Sequence, residues 1–373
     1  MKKNIMCIIT NRASYAKLKS ILVNLKEKSN LQIVLAAGAL IEKYGPLETQ
    51  IKKDGFRIVD KIFMLLDSQT LINNTKSTGI GIMEFSNCFY RNKPSLIILM
   101  ADRFEILSAA IAASYQNIKI AHIQGGENSG NIDQKVRYAV SALSDIHFPS
   151  TKKAYKILKK DKLIKNVFLS GCPSIDLCKK IEKSKLKRLI KIFKNYKGVG
   201  QKADLKKKYI IVIYHPVTNE YISIKRQFEI FLDAILSINV STIWFWPNPD
   251  SGSHFISNKI RKLREKNKLN DIFFIKNMSP DDFLLLLKYA KCIVGNSSAG
   301  IRESSYLGTP SINIGSRQLN RETGKNVVNV DYNKKKIIKS IEIQLNKNYK
   351  KNTLYGHGNA GKKIAKTILN LKI

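Results

Sequence analysis

The stretch "AHIQGGENSGNID", Ala121 to Asp133, brings three groups capable of proton chemistry within twelve residues: His122, Glu127 and Asp133. A glutamine, Gln124, stands where a further carboxylate would serve. Clustered acids suit general acid/base work, in which a positioned side chain gives or takes a proton as other bonds break. A second such point is "MADRFE", where Asp102 and Arg103 directly follow an apolar run. Asp102 also reads as a plain helix N-cap. The chain has only 28 acidic residues, so their crowding at these two places is suggestive.

Anion chemistry is signalled separately. "GNSSAGIRE", Gly295 to Glu303, follows an apolar run and joins glycines and two serines to a helical pattern. Backbone N–H groups and hydroxyls at a helix start suit a diphosphate. Of 65 basic residues only 12 are arginines, and half of these (Arg12, Arg103, Arg137, Arg302, Arg317 and Arg321) fall at Gly/Ser/Asp-rich junctions. Arginine clamps phosphates and carboxylates with two donors, where lysine offers a point charge. "YHPVTNE" puts His215 at a strand end. There is no Walker pattern and no G-x-G-x-x-G, which weakens nucleotide hydrolysis and dinucleotide redox chemistry. No His/Cys/acid set has metal-ligand spacing, so no metal and no cofactor is expected.

The elements that must carry these groups alternate. "IMCIIT", "LQIVLAAG", "PSLIILMA" and "IKIAHI" read as strands, separated by helices such as "SYAKLKSILVNLKEK" and "RFEILSAAIAASYQN". "YIIVIYHP", "STIWFWPN", "DIFFIKNM", "CIVGN" and "PSINIG" repeat the logic, with "AGIRESSYLG" read as a helix. Continuous apolar strands between helices mean parallel sheets covered on both faces. The fold class is therefore α/β, with two Rossmann-like doubly wound domains facing a cleft. The expected division is 1–185, a basic linker 186–207, 208–356, and a C-terminal segment 357–373 whose helix packs back on the first domain. Ligands of such sheets bind beyond the carboxyl ends of the strands, where each motif above falls.

A length of 373 residues fits two domains. No apolar run reaches the ~18 residues a membrane span needs. The first residues carry lysines and a short apolar run, but no small-residue cleavage site follows, and a buried strand is the better reading. The expected location is cytoplasmic, with no membrane partner. Five scattered cysteines argue for reduced thiols. The net charge of +37 comes from lysines spread along the chain without aromatic interleaving. It reads as solvated surface and not as a specific nucleic-acid site.

The motifs "NRASYAKL", "DRFEILSAAIAA", "HIQGGENSGNID", "FLSGCPSID", "HPVT", "PNPDSGS", "GNSSAGIRESSYLGTPSINIGSRQLNRETGKNV" and "YGHGNA" occur in this order. Together they resemble the hydrolysing UDP-N-acetylglucosamine 2-epimerase family of sialic and legionaminic acid synthesis, over nearly the whole chain. The resemblance implies a glycosyltransferase-B type fold and no kinase-like region. It implies conversion of UDP-GlcNAc and water to N-acetylmannosamine and UDP, through elimination of UDP to a 2-acetamidoglucal. It implies catalytic roles for Asp102 and Asp133, with Glu127 and Gln124 beside them. It implies substrate and UDP contacts at Arg12, Arg103, His215, Asn277, Ser297, Ser298, Glu303 and Arg317, and a homodimer or homotetramer. Glu303 suits ribose hydroxyls, since a carboxylate repels phosphate.

Three positions depart from the family pattern. Gln124 stands where a glutamate is frequent, Gln134 where a second acid is frequent, and Ala16 where a serine is frequent. A glutamine donates and accepts hydrogen bonds but carries no proton between groups; Glu127 is the nearby acid able to take that role. Alternative substrates are 4-amino or 4-acetamido 6-deoxy analogues such as UDP-diacetylbacillosamine. Other readings are a non-hydrolysing epimerase or glycosyltransferase, a catalytically weak UDP-sugar binder, and a polyanion-binding protein.

Overall fold

The computed structural model describes residues 2–41, 47–66, 70–130, 132–247, 252–265 and 271–372. Asn131 of the "GNID" element and residues 248–251 of "PNPDSGS" lie outside them. The chain divides into two compact units. One comprises Met1–Asn128, Ile132–Leu177 and Tyr355–Ile373, the other Cys178–Leu354 with Ser129–Asn131.

Each unit is built on a parallel sheet because its strands are apolar on both faces. In the first unit the strands are β1 (Asn4–Ile9), β2 (Asn30–Ala36), β3 (Ile58–Ile62), β4 (Leu96–Met100), β5 (Lys119–Ile123) and β6 (Ile146–Phe148). Their order is β3-β2-β1-β4-β5-β6. Along β1, Ile5, Cys7 and Ile9 face one core while Met6 and Ile8 face the other, the two-residue alternation of a pleated strand. The helix Arg12–Leu25 follows β1, and its buried Leu18, Ile21, Leu22 and Leu25 meet Ile364 and Ile368 of the last helix, Ala360–Asn370.

The second unit repeats the plan with β7 (Tyr209–Ile213), β8 (Ser241–Phe245), β9 (Ile272–Ile275), β10 (Cys292–Gly295), β11 (Ser311–Ile314) and β12 (Val327–Val330). The order β12-β11-β10-β7-β8-β9 is the same topology counted from β7. In each sheet the order reverses between the first and fourth strands, β1/β4 and β7/β10. That switch point is where doubly wound sheets place their ligands.

Three expectations need correction. Residues 186–207 are not a bare linker. The helix Leu186–Phe193 buries Leu189 and Phe193 in the second unit's core, and Ala203 and Leu205 join them. The lysines around them occupy the outward face of an amphipathic helix. The units accordingly divide after Leu177, and the chain returns to the first unit at Tyr355, not after 185 and at 357. Finally, "AGIRESSYLG" is not one helix. It is a 3-10 turn, Ser298–Gly300, followed by a short helix, Glu303–Leu307. Ser304 Oγ donates to the Gly300 carbonyl (2.7 Å) and Ser305 Oγ to that of Ile301 (2.7 Å), bonds that compete with regular winding. Gly308, at φ 75°, ends the helix in the left-handed region.

Candidate active site

The carboxyl ends of β4 and β5 carry unusual backbone. Ala101 has φ 68° and Gln124 φ 67°. A left-handed conformation costs a residue with a Cβ about 1–2 kcal/mol, and such strain clusters at functional sites. The two turns are tied together: Ala101 N–H donates to the Ile123 carbonyl (2.9 Å) and Gln124 N–H to that of Phe148 (3.0 Å). The paired glycines that follow are steric necessities. A Cβ on Gly125 would lie 2.8 Å from Ser141 Oγ and 2.9 Å from His122 Nδ1. One on Gly126, at φ 77°, would lie 2.5 Å from the Ala154 carbonyl oxygen.

Asp102 does not cap the helix Phe104–Tyr115, whose N-cap is Arg103. Its carboxylate instead forms an ion pair with Arg137 Nη2, and Arg137 is buried, at 1% exposure. The same guanidinium donates through Nη1 to the Glu127 carbonyl (2.5 Å). Arg137 stands on the helix Asp133–Ala142, one turn beyond Asp133, and residues four apart share a helix face. One buried cation thus gathers the three segments that bear Asp102, Glu127 and Asp133. Glu127 is itself buried and Asp133 half-buried at the helix start. In the sequence Arg137 is one of six junction arginines, with nothing in its spacing to mark it as a site residue.

His122 is not placed for proton transfer. It is fully buried on β5, with Nε2 2.8 Å from the Ala101 carbonyl oxygen and Nδ1 3.0 Å from Ser141 Oγ. Burial lowers its pKa to about 4, against the opposing pull of the Ala101 carbonyl and the Glu127 charge. It is a neutral strut under the strained Ala101. Gln124 is fully buried too, and its Nε2 donates to Cys172 Sγ (3.0 Å).

At the switch point of this unit, Arg12 opens the helix Arg12–Leu25 behind an Asn11–Ser14 capping box. A cation there opposes the helix dipole. Its Nε is buried without a partner, and burial lowers its pKa. An anion reaching Arg12 and the helix start would relieve both. Arg103 Nε lies 3.1 Å from the buried Glu105 carboxylate.

In the second unit Asn296, fully buried after β10, holds the switch point together. Its Oδ1 accepts the His215 N–H (2.8 Å) and its Nδ2 donates to the His215 carbonyl (2.7 Å). Its own carbonyl accepts from Arg317 Nη1 (3.2 Å) and Gln318 Nε2 (3.0 Å). The loops after β7, β10 and β11 therefore meet on one residue, through its side chain and its backbone carbonyl, which brings His215, Ser297, Ser298 and Arg317 together. Gly295 permits the turn: at φ 134°, a Cβ there would lie 2.0 Å from the Ile213 carbonyl oxygen. Ser297 caps the 3-10 turn through the Ala299 N–H (3.3 Å), and both serines are half-buried. Glu303 is buried, and its Oε2 has no hydrogen-bond partner. Asn277, half-buried beyond β9, accepts the Met278 N–H (2.8 Å). Asn296 was part of the phosphate-like motif but was not singled out.

All five cysteines are buried, and among the described residues no cluster of His, Cys, Asp and Glu could hold a metal ion. No described helix is long and apolar enough to cross a membrane.

The chain is similar to known proteins in sequence and fold. Over residues 23–369 the chain matches the family described as UDP-N-acetylglucosamine 2-epimerase. A Legionella pneumophila protein named UDP-N,N'-diacetylbacillosamine 2-epimerase (hydrolyzing) is 32% identical, over 99% of this chain and 97% of its own. A Neisseria meningitidis UDP-N-acetylglucosamine 2-epimerase is 28% identical, over 91% of this chain and 87% of its own. In fold, the chain superposes with TM-score 0.79 on a crystal structure of the Methanocaldococcus jannaschii UDP-GlcNAc 2-epimerase in complex with UDP-GlcNAc and UDP. That likeness covers 98% of this chain and 99% of the other, at 21% identity. With two doubly wound glycosyltransferase-B-like units and a match across almost its whole length, the chain belongs to the UDP-N-acetylglucosamine 2-epimerase family.

Proposed function

We propose that this protein is a hydrolysing 2-epimerase of a UDP-linked 2-acetamido sugar. The first reading of its substrate is UDP-GlcNAc, with N-acetylmannosamine and UDP as products destined for sialic-type acids. The proton on sugar carbon 2 is not acidic, so the route is elimination. A carboxylate removes that proton, the bond from carbon 1 to the diphosphate breaks, and UDP leaves a 2-acetamidoglucal. Water then adds its oxygen to carbon 1, while carbon 2 receives a proton on the opposite face. Asp102, Glu127 and Asp133 supply the acid/base groups. Arg12, Ser297, Ser298 and Arg317 take the diphosphate, His215 and Asn277 lie along the nucleotide, Glu303 takes the ribose hydroxyls, and Arg103 serves the sugar–phosphate region. The observation that carries this reading is the convergence of the Asp102, Glu127 and Asp133 segments on Arg137.

The test is incubation with a panel of UDP-sugars in heavy water, following free UDP and product by NMR. The expected outcome is UDP release with deuterium at carbon 2 of the product; neither appearing with any sugar would defeat the proposal. The higher identity to the Legionella protein, 32% against 28% for the Neisseria one, favours a second substrate reading, UDP-diacetylbacillosamine. The same panel ranks the two by kcat/KM. Gln124 supports a third reading, a UDP-sugar binder of weak activity, since an amide carries no proton. UDP binding by calorimetry with no turnover, and a rate gained in Gln124→Glu, would favour it. Assembly as a homodimer or homotetramer in the cytoplasm completes the proposal, checked by light scattering and cell fractionation.

A further inference from the structure

The helix Leu71–Asn92 turns one face to its own core and leaves the other open. Ser77, Gly81, Phe85, Cys88 and Phe89 are buried. Gly81 is required there, because a Cβ on it would lie 2.9 Å from Ser108 Cβ on the neighbouring helix. On the opposite side run Ile72, Gly79, Met83 and Tyr90, which fall within about 40° of one another at about 100° per residue. This stripe is about 27 Å long, and its three side chains are 62%, 61% and 77% exposed. Met64 lies against Gly81, and Leu66 N–H donates to Ser77 Oγ (3.2 Å), so residues 63–66 run along the helix. Phe63, Leu65 and Leu66, also exposed, flank it there.

Among the described residues nothing calls for a glycine at position 79. A Cβ there would meet no described atom within 4 Å, and a glycine inside a helix costs about 1 kcal/mol against alanine. Bare backbone between two large apolar side chains makes a notch, where a second helix can come closest. The stretch is also electrically neutral. Residues 63–92 carry Asp67, Glu84, Lys76 and Arg91 and no other charge. The chain is 25% charged with a net +37, so thirty residues at its average would carry about seven charges and a net of about +3.

We propose that this face is where two copies of the chain associate, the Leu71–Asn92 helix of each crossing the other at Gly79 about a twofold axis. One patch then serves both partners, as in an isologous dimer. Its six exposed apolar side chains present roughly 600 Å² between them, at up to about 200 Å² for each in full. A stable interface takes about 800 Å² from each partner, somewhat over half of it apolar, so the patch is large enough. Neutrality selects the occupant. An acidic partner is drawn to the lysine surface elsewhere, whereas two copies of a +37 chain meet with least repulsion through a face that carries no excess charge. The inference rests on the assembly proposed above and not on the sugar chemistry.

The experiment is sedimentation velocity on the whole chain, with cross-linking as a second readout. Gly79→Arg is expected to raise the dimer dissociation constant at least about a hundredfold, as a charge set at the centre of an interface does. Its Tm as a monomer stays unchanged, because the position is open within the unit. Leu163→Arg, at a 90% exposed position in the turn after the helix Lys152–Lys160, shifts the constant less than about twofold. Gly79→Cys, treated with a bis-maleimide spanning about 10 Å, the distance between packed helices, yields a covalent dimer. Leu163→Cys and the wild type, whose five cysteines are buried, do not. A monomeric wild type, or dimers that survive Gly79→Arg, would overturn the inference; in the second case the assembly closes through another face and this one serves a different protein. UDP release by the wild type decides the proposed function separately, so either can fail without the other.

Discussion

Arg137 carries no proton in the proposed reaction, yet it holds Asp102, the first of the acids to be tested. Asp102→Asn keeps the shape and removes the charge, so turnover should fall by at least about a thousandfold, with UDP affinity by calorimetry nearly unchanged. Asp133→Asn should also lose most activity in the UDP-release assay; near-full activity would remove Asp133 from the acid/base set. Arg317→Ala acts on the other substrate half, and its loss should weaken UDP binding about tenfold to a hundredfold, one charge-assisted hydrogen bond or two. Acid stability follows from His122. Its pKa falls from 6.5 to about 4 because burial disfavours the charged ring. The unfolded chain therefore binds more protons between those values. Stability is full above about pH 6.5 and declines as pH drops toward 4, by up to on the order of 3 kcal/mol from this group. Urea unfolding at pH 7 and pH 4.5 should show the loss, and His122→Gln should flatten part of the slope.

At the scale of elements, the test case is the helix Leu186–Phe193. Leu189→Ala or Phe193→Ala should destabilise the second unit by about 2–4 kcal/mol in denaturant unfolding. Lys187→Ala on the outer face should stay within about 0.5 kcal/mol. The contrast explains what the sequence hid: eight residues with three lysines or arginines read as solvent-facing while a narrow stripe was core. The interior strands were legible because β1, β4, β7 and β10 are nearly unbroken apolar runs. The edge strands β3, "IVDKI", and β12, "VVNV", are half-covered and mix polar residues into short segments, so no run stands out. The helix Leu71–Asn92 was also missed: it contains Gly79 and Gly81 and many polar residues, so propensity argues against it. For the site, the loops were legible because their Gly, Ser and Asp residues mark strand ends. Their partners were not. Asp102 meets Arg137 across 35 positions, and His215 meets Asn296 across 81, neighbours only because β4 lies beside β5 and β7 beside β10.

For the whole molecule, the excess of 37 positive charges is a self-repelling shell. At ~10 mM salt the screening length is about 30 Å and at ~150 mM about 8 Å. The Tm should therefore rise over that range. Adventitious binding to heparin or DNA should vanish by roughly 0.3 M salt, while UDP-sugar turnover persists. Turnover lost in parallel with polyanion binding would point to a charge-driven function instead.

The interrupted first unit has a consequence for synthesis. Its sheet is complete by Phe148, but Ile364 and Ile368, which cover Leu18 and Leu22, emerge from the ribosome more than two hundred residues later. At about 5–20 residues per second the nascent amino-terminal half waits on the order of ten to forty seconds with an uncovered greasy flank. Chaperone capture should peak in that interval, and a chain cut before Ala360 should be degraded or aggregate even though every residue proposed for catalysis has been made.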